Sequence, residues 1–136
     1  MIKPFFKSTD KEFTLLQGDS VELLNQFDFK FDMIFADPPY FLSNDGISVQ
    51  SGKMVSVNKG EWDKSQGFEK DNEFNFNWLK ACHSHLTDNG TIWISGTFHN
   101  IFSVAQMLTE LGFKILNCIT WAKTNPPPNL SCRYFT

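Results

Sequence analysis

No Gly-x-Gly occurs anywhere in the 136 residues, so the glycine-rich turn that lets a nucleotide cofactor approach the backbone closely is missing from this sequence. No apolar stretch approaches the ~18 residues of a membrane-spanning helix, and the N-terminus lacks the basic-then-apolar order of a signal peptide. No membrane partner is therefore expected, and the expected location is cytoplasmic. Cysteine is scarce: Cys82, Cys118 and Cys132 show no CxxC spacing and leave an odd thiol if two pair, which argues against a disulfide framework and for reduced core residues. The run Cys82-His83-Ser84-His85 resembles a metal cluster only superficially, because neighbouring helical residues point in different directions, and no metal is assigned. Positive charge is not in excess either. Twelve Lys and Arg against 15 Asp and Glu give a net charge of −3, which argues against a protein that coats polyanions through many phosphate contacts but does not exclude DNA. A local basic face remains open, since Lys53, Lys59, Lys64, Lys123 and Arg133 fall in two stretches read as loops; the other reading is scattered, solvated lysines.

What is present suffices for one domain or less: 41% hydrophobic residues, 15 Phe and four Trp can fill a sizeable core. After a polar lead-in over residues 1–12, Phe13 to Gln17 reads as a short strand broken by Gly18. Asp19, followed three residues later by Glu22, resembles a capping box opening a helix from Val21 to Phe27. Phe31 to Ala36 is an apolar strand. Residues 46–50 and 53–57 alternate around Ser51-Gly52 and read as a β-hairpin inside a long polar stretch, residues 43–71, expected to be a mobile loop over a site and carrying one large aromatic, Trp62. Trp62 either faces a ligand or pins the loop to the core. A helix is expected over Phe74–Leu86, ended by Asp88-Asn89-Gly90, then a strand over Thr91–Ser95. Thr97 would cap a helix from Phe98 to Leu111, with Phe98, Ile101, Phe102, Ala105, Leu108 and Leu111 inward and Gly112 as the stop. His99 reads as a surface or capping residue. Phe113 to Trp121 would be a further strand, completing the alternation of a doubly wound α/β fold.

Asp37-Pro38-Pro39-Tyr40 sits where the strand over 31–36 empties into the loop, the place where open α/β sheets bind ligands. Asp37 offers a carboxylate. The carbonyl before each proline lacks a local donor, and two prolines in a row fix φ, so these acceptors are aimed with little entropy left to lose. Tyr40 supplies a flat face for a planar ring. Such a set would hold an exocyclic amino group on an aromatic ring; a stiff Pro-Pro turn is the plain alternative. A second rigid, acceptor-rich segment, Trp121 to Asn129, leaves the last strand, with a polyproline linker as its plain alternative.

These residues, in this order, resemble the amino-group DNA methyltransferases of the permuted β group, DPPY type, found in restriction-modification systems. The match runs from about Phe13 to the end and includes the Gly18-Asp19 segment, Asp37 to Tyr40, the run Asp88 to Gly96, and Trp121-x-Lys123-x-Asn125-x-x-Pro128. The resemblance implies a partial Rossmann-like class I S-adenosylmethionine-dependent sheet, in permuted order and incomplete without a C-terminal half. It implies S-adenosylmethionine as methyl donor, double-stranded DNA as partner, and admits a homodimer. Asp37, Pro38, Pro39 and Tyr40 would be catalytic, and Asp19 with Asp37 would contact the cofactor. Asp19 thus carries two compatible readings, helix cap and ligand contact. Tyr40, Trp62, Lys123, Asn125 and Pro126 would meet DNA or the extruded base. In place of Ser-Pro-Pro-Tyr, DPPY favours adenine N6 over cytosine N4.

In the sheet order 3-2-1-4-5-7-6 of that family, residues 13–17 would be strand 3 and residues 31–36 strand 4, with the two strands between them in a half this sequence lacks. Its parallel edges are then expected to be open, as in a fragment of a longer polypeptide. Other readings stay open: cytosine N4, an RNA base or a glutamine amide as acceptor, or an inactive subunit that needs a second segment to complete the cofactor site.

Overall fold

A computed structural model describes residues 2–43, 45–50, 52–122 and 124. Within the polar lead-in, β1 (Phe6–Lys7) pairs antiparallel with β2 (Thr14–Leu15). The strand expected over Phe13–Gln17 is therefore short and belongs to a local ribbon, not to the parallel sheet. Helix α1 (Ser20–Leu24) follows, its N-cap Asp19 accepting the amides of Val21 (2.9 Å) and Glu22 (3.0 Å).

Strand β3 (Phe31–Ala36) is the element immediately before a hairpin of β4 (Ile47–Gln50) and β5 (Lys53–Ser56), paired Ile47 to Ser56 through Gln50 to Lys53. A 3-10 turn (Glu61–Asp63) leads to helix α2 (Phe68–Ser84). This helix starts six residues before the expected Phe74. Its first turns are polar and show no apolar periodicity, but Asp71 reaches back to the Ser65 hydroxyl (2.6 Å) and the Gln66 amide (2.9 Å), and Glu69 and Asp71 complement the positive helix end. Only the second half, with Trp78, Leu79, Ala81 and Cys82 buried, carries the pattern that sequence periodicity detects.

Strand β6 (Leu86–Ile94) runs parallel to β3, and between the pairs Phe31–Leu86 and Met33–Thr91 the register breaks. Asp88-Asn89-Gly90, expected to terminate a helix, is this irregularity inside a strand; α2 has already ended at Ser84. Helix α3 (Ile101–Glu110) begins after a turn in which Asn100 Oδ1 accepts the Thr97 amide (2.9 Å) and the Ile101 amide bonds the Thr97 carbonyl (2.9 Å). Gly112, at φ 87°, closes it: its amide reaches Thr109 O, and that of Phe113 reaches Leu108 O.

The core is Trp78, Leu79, Cys82, Val104 and Met107, with Val21, Leu24, Ile34, Ala36, Ile92 and Ile94 packed against it. Alternation along the strands explains which residues join. Ile34, Ala36, Ile92 and Ile94 face the helices, while Met33, Phe35 and Trp93, 60%, 68% and 47% exposed, face away on an uncovered side. Phe98 and Phe102, expected inward, are exposed and stack on each other, because the inward stripe of α3 is carried by Val104 and Met107. Residues 113–122 form no strand, and Ile115, Leu116, Ile119 and Trp121 are exposed. An extended apolar segment becomes a strand only where a sheet edge accepts it.

Of the cysteines, Cys82 is buried and Cys118 exposed, both unpaired, and burial pushes the Cys82 thiol up to about 11. Cys132 lies outside the described residues. No described helix is long and apolar enough to cross a membrane.

Candidate functional site

Asp37 leaves β3 directly opposite the end of β6, since the Ser95 amide continues the ladder onto Ala36 O at 3.0 Å. Parallel pairing therefore brings two strand ends, far apart in sequence, to one point. There the Asp37 carboxylate Oδ1 accepts the Ser95 hydroxyl at 2.5 Å and also the Tyr40 hydroxyl, and the Tyr40 and Ser95 oxygens are themselves 2.8 Å apart. Among the described residues, Oδ2 carries no hydrogen bond, and Asp37 is exposed. Bonds first from Ser95 and then from Tyr40, aided weakly by the Lys59 charge, hold the Asp37 carboxyl below its ordinary 3.8. Burial, then the neighbouring Asp37 carboxylate, pushes the Tyr40 phenol above 10.0.

Ser95→Ala is expected to raise the Asp37 pKa, because it removes the strongest of the bonds to the charged form. By sign, a depressed folded-state carboxyl contributes stability above its unfolded value that is lost as pH falls through the folded value. In Ser95→Ala the folded and unfolded values lie closer together, so this contribution should be smaller and its loss complete at higher pH; carboxyl-selective NMR titration of the variant against wild type would read the raised Asp37 value.

Tyr40 is held at its other end by a residue that sequence reasoning passed over. Asp63, 1% exposed, accepts the Tyr40 amide (3.1 Å) and the Phe41 amide (3.0 Å) on Oδ1, and the Ser43 hydroxyl (2.8 Å) on Oδ2. Ser43 Oγ in turn accepts the Lys59 amide at 2.8 Å, and the Ser43 amide reaches the Asp63 carbonyl at 3.2 Å. A buried acid among polar neighbours has no periodicity to betray it, and its partners are 20 to 23 residues away. Ser95, read as a strand's last residue and as part of the Asp88–Gly96 run, was given no role in the site, since its partner Asp37 lies 58 residues away.

Pro38, Pro39 and Tyr40 are half-buried, and the Lys59 ammonium lies 5.6 Å from the Tyr40 ring centroid. Tyr40 also borders a cleft of about 240 Å³ lined with Phe41, Phe68, Asn75, His99 and Asn100. His99 is exposed there. Within the wall, the Asn100 side-chain nitrogen is buried with no hydrogen-bond partner among the described residues. Trp62 does not pin its loop to the core. It is 61% exposed, and its indole lies so close over Gly60, at φ 144°, that a Cβ there would stand 2.8 Å from Nε1.

Asp19 is capping a helix through Oδ1, and its Oδ2 has no bond among the described residues, so the same side chain can accept from a second group. An amino or hydroxyl group is the kind of donor such a spare carboxylate oxygen accepts. No described hydrogen bond joins Asp19 to Asp37. Lys123, Asn125 and Pro126, with Arg133, lie outside the described residues. Among the described residues no cluster of His, Cys, Asp and Glu is placed to hold a metal ion.

Comparison with known proteins adds sequence relationships to this geometry. A family model described as DNA methylase, of the N6/N4 methyltransferase type, matches residues 31–136. The chain is 57% identical over 136 residues to the type II methyltransferase M2.MboI of Moraxella bovis, covering 99% of this chain and 50% of that protein. It is 53% identical over 137 residues to M2.DpnII of Streptococcus pneumoniae and likewise to M2.LlaDCHI of Lactococcus lactis subsp. cremoris, each match covering 100% of this chain and 50% of the relative. The chain thus spans about half the length of the curated relatives it matches.

Proposed function

Because the chain belongs to the DNA methylase family, we propose that it is the target-base half of a site-specific methyltransferase that moves a methyl group from S-adenosylmethionine to adenine N6 in double-stranded DNA. In this reading the parallel pair of β3 and β6 is the start of a class I methyltransferase sheet in permuted order, and the enzyme belongs to a restriction-modification system. Methylation by this family draws on S-adenosylmethionine, which supplies an electrophilic methyl group when bound. Asp19 and Asp37 would contact it; the remaining contacts fall to residues beyond this sequence.

The observation that supports the reading is the state of Asp37: Oδ1 is taken by Ser95 and Tyr40, while Oδ2 carries no hydrogen bond among the described residues and the side chain is exposed at a strand exit beside a fixed aromatic ring. An adenine extruded from the duplex, as in-line attack at N6 requires, would place one N6 hydrogen on Oδ2 and the other on the Pro38 carbonyl. Both bonds draw the nitrogen lone pair out of ring conjugation, and orientation does much of the rest. Pro39 stiffens the turn, and Tyr40 stacks on the base. A carboxyl held below 3.8 is a weak base, so Asp37 acts here first as a hydrogen-bond acceptor for N6; the proton that N6 sheds as its bond to the methyl carbon forms and the sulfonium S–C bond breaks passes to solvent, directly or by way of the Asp37 carboxylate. Asn125 and Pro126 would flank the base. Trp62 and Lys123, with the loop over 43–71, would close on DNA.

The test is direct. The full-length protein, given DNA and labelled S-adenosylmethionine, should yield N6-methyladenine on nucleoside analysis. N4-methylcytosine, or label appearing only in RNA or protein, would overturn the adenine assignment.

A further inference from the structure

The bond set of Asp63 is out of proportion to its place in a polar loop. A carboxylate removed from water needs its charge met, and here three donors meet it, all of them from the loop that follows Asp37. Two are consecutive backbone amides, of Tyr40 and Phe41, which converge on one oxygen. Such convergence bends the chain, and Phe41 indeed sits at φ 57°. A bulky residue in the left-handed region is strained and persists only where its surroundings over-determine it. Those surroundings are the Asp63 carboxylate on the amide side and, on the ring side, Phe74 of α2, whose ring meets that of Phe41 edge-on at 5.8 Å between centroids. Tyr40 is thus fixed twice, at its hydroxyl by Asp37 and Ser95 and at its amide by Asp63. Without Asp63 the hydroxyl contact would remain, but the backbone of Tyr40 would be free to swing the ring face about it.

We propose that Asp63 is a positioning residue for methyl transfer: it locks the Tyr40–Phe41 backbone so that the Tyr40 ring stands where the extruded base must stack. The inference rests on the base-pocket reading given above. It also gives the 3-10 turn two sides, since Asp63 points inward to the pocket wall while the adjacent Trp62 is exposed on the outside.

The experiment uses the full-length protein and a duplex containing its own methylation site. Asp63→Ala should lower kcat by about 10²-fold, the size expected when a reacting group is misplaced by about an ångström, with KM for S-adenosylmethionine within about threefold of wild type. Asp63→Asn keeps a carbonyl oxygen for the two amides and should hold kcat within about threefold. Because Asp63 would act only through Tyr40, the double variant Asp63→Ala/Tyr40→Ala should lose no more than Tyr40→Ala alone. Additive losses, or a folded Asp63→Ala with wild-type kcat, overturn the proposal. Should Asp63→Ala not fold, Asp63→Asn decides: a loss as deep as that of Tyr40→Ala would mean the charge itself is needed, which positioning does not require. Absence of N6-methyladenine with wild-type protein would instead remove the underlying base-pocket reading, so the two failures are distinguishable.

Discussion

Asp37→Ala in the full-length protein is expected to lower methyl transfer by at least about 10²–10³-fold, the range seen when one preorganised hydrogen-bonding group at a reacting centre is lost, while DNA affinity stays within about threefold. The two effects separate because Asp37 is a small acidic group at the bottom of a strand exit, whereas affinity for DNA comes largely from cationic contacts with phosphate. Asp37→Asn should fall between, since an amide oxygen can still accept one N6 hydrogen. The carboxyl lies below 3.8, so the wild-type pH–rate profile should show no acid limb from Asp37 near neutrality. Turnover and DNA binding measured side by side across pH 5 to 9 check both statements. Wild-type turnover in Asp37→Ala would sink the proposed role.

The largest effect expected on stability is at Leu79. Its side chain is 0% exposed at the centre of the core that joins α2, α3 and the inner face of the β3–β6 pair. Leu79→Ala removes buried methyl groups and leaves a cavity, at a cost of about 2–5 kcal/mol, a large fraction of the stability of an ordinary domain. Because α2 also supplies Phe74 to Phe41 and Asn75 to the cleft, partial loss of this core should loosen the site as well. Urea unfolding followed by tryptophan fluorescence, to which buried Trp78 contributes the change of environment, would give the difference; a midpoint within experimental error of wild type would contradict the core assignment. Trp78 suits the measurement, being buried with its indole N–H on Asn75 Oδ1 at 3.0 Å.

Much of the candidate site could be read from the chain because its chemistry is local. Asp37 to Tyr40 is contiguous, its two prolines act on their own φ angles, and the strand before it is a continuous apolar run. The hairpin over 47–56 was legible for a similar reason, through alternation around a glycine. The start of α1 was legible through its cap Asp19, but those of α2 and α3 were not. The first turns of α2 are polar and held by Asp71, and the inward stripe of α3 is decided by what it packs against, so Phe98 and Phe102 could not be told from core residues by spacing. The strand over 113–121 failed on a different count, since strand formation depends on a partner elsewhere.

The sequence by itself thus determined the family, the tetrapeptide of the candidate site and the apolar strand before it, all properties of residues close together along the chain. Tertiary structure alone decided which distant groups complete the site. Ser95 reaches Asp37 only because β3 and β6 run parallel in one register, and Asp63 reaches Tyr40 only because the chain folds back across more than twenty residues. A hydrogen bond between residues so far apart leaves no periodic trace, because its partners are chosen by the path of the backbone and not by their spacing.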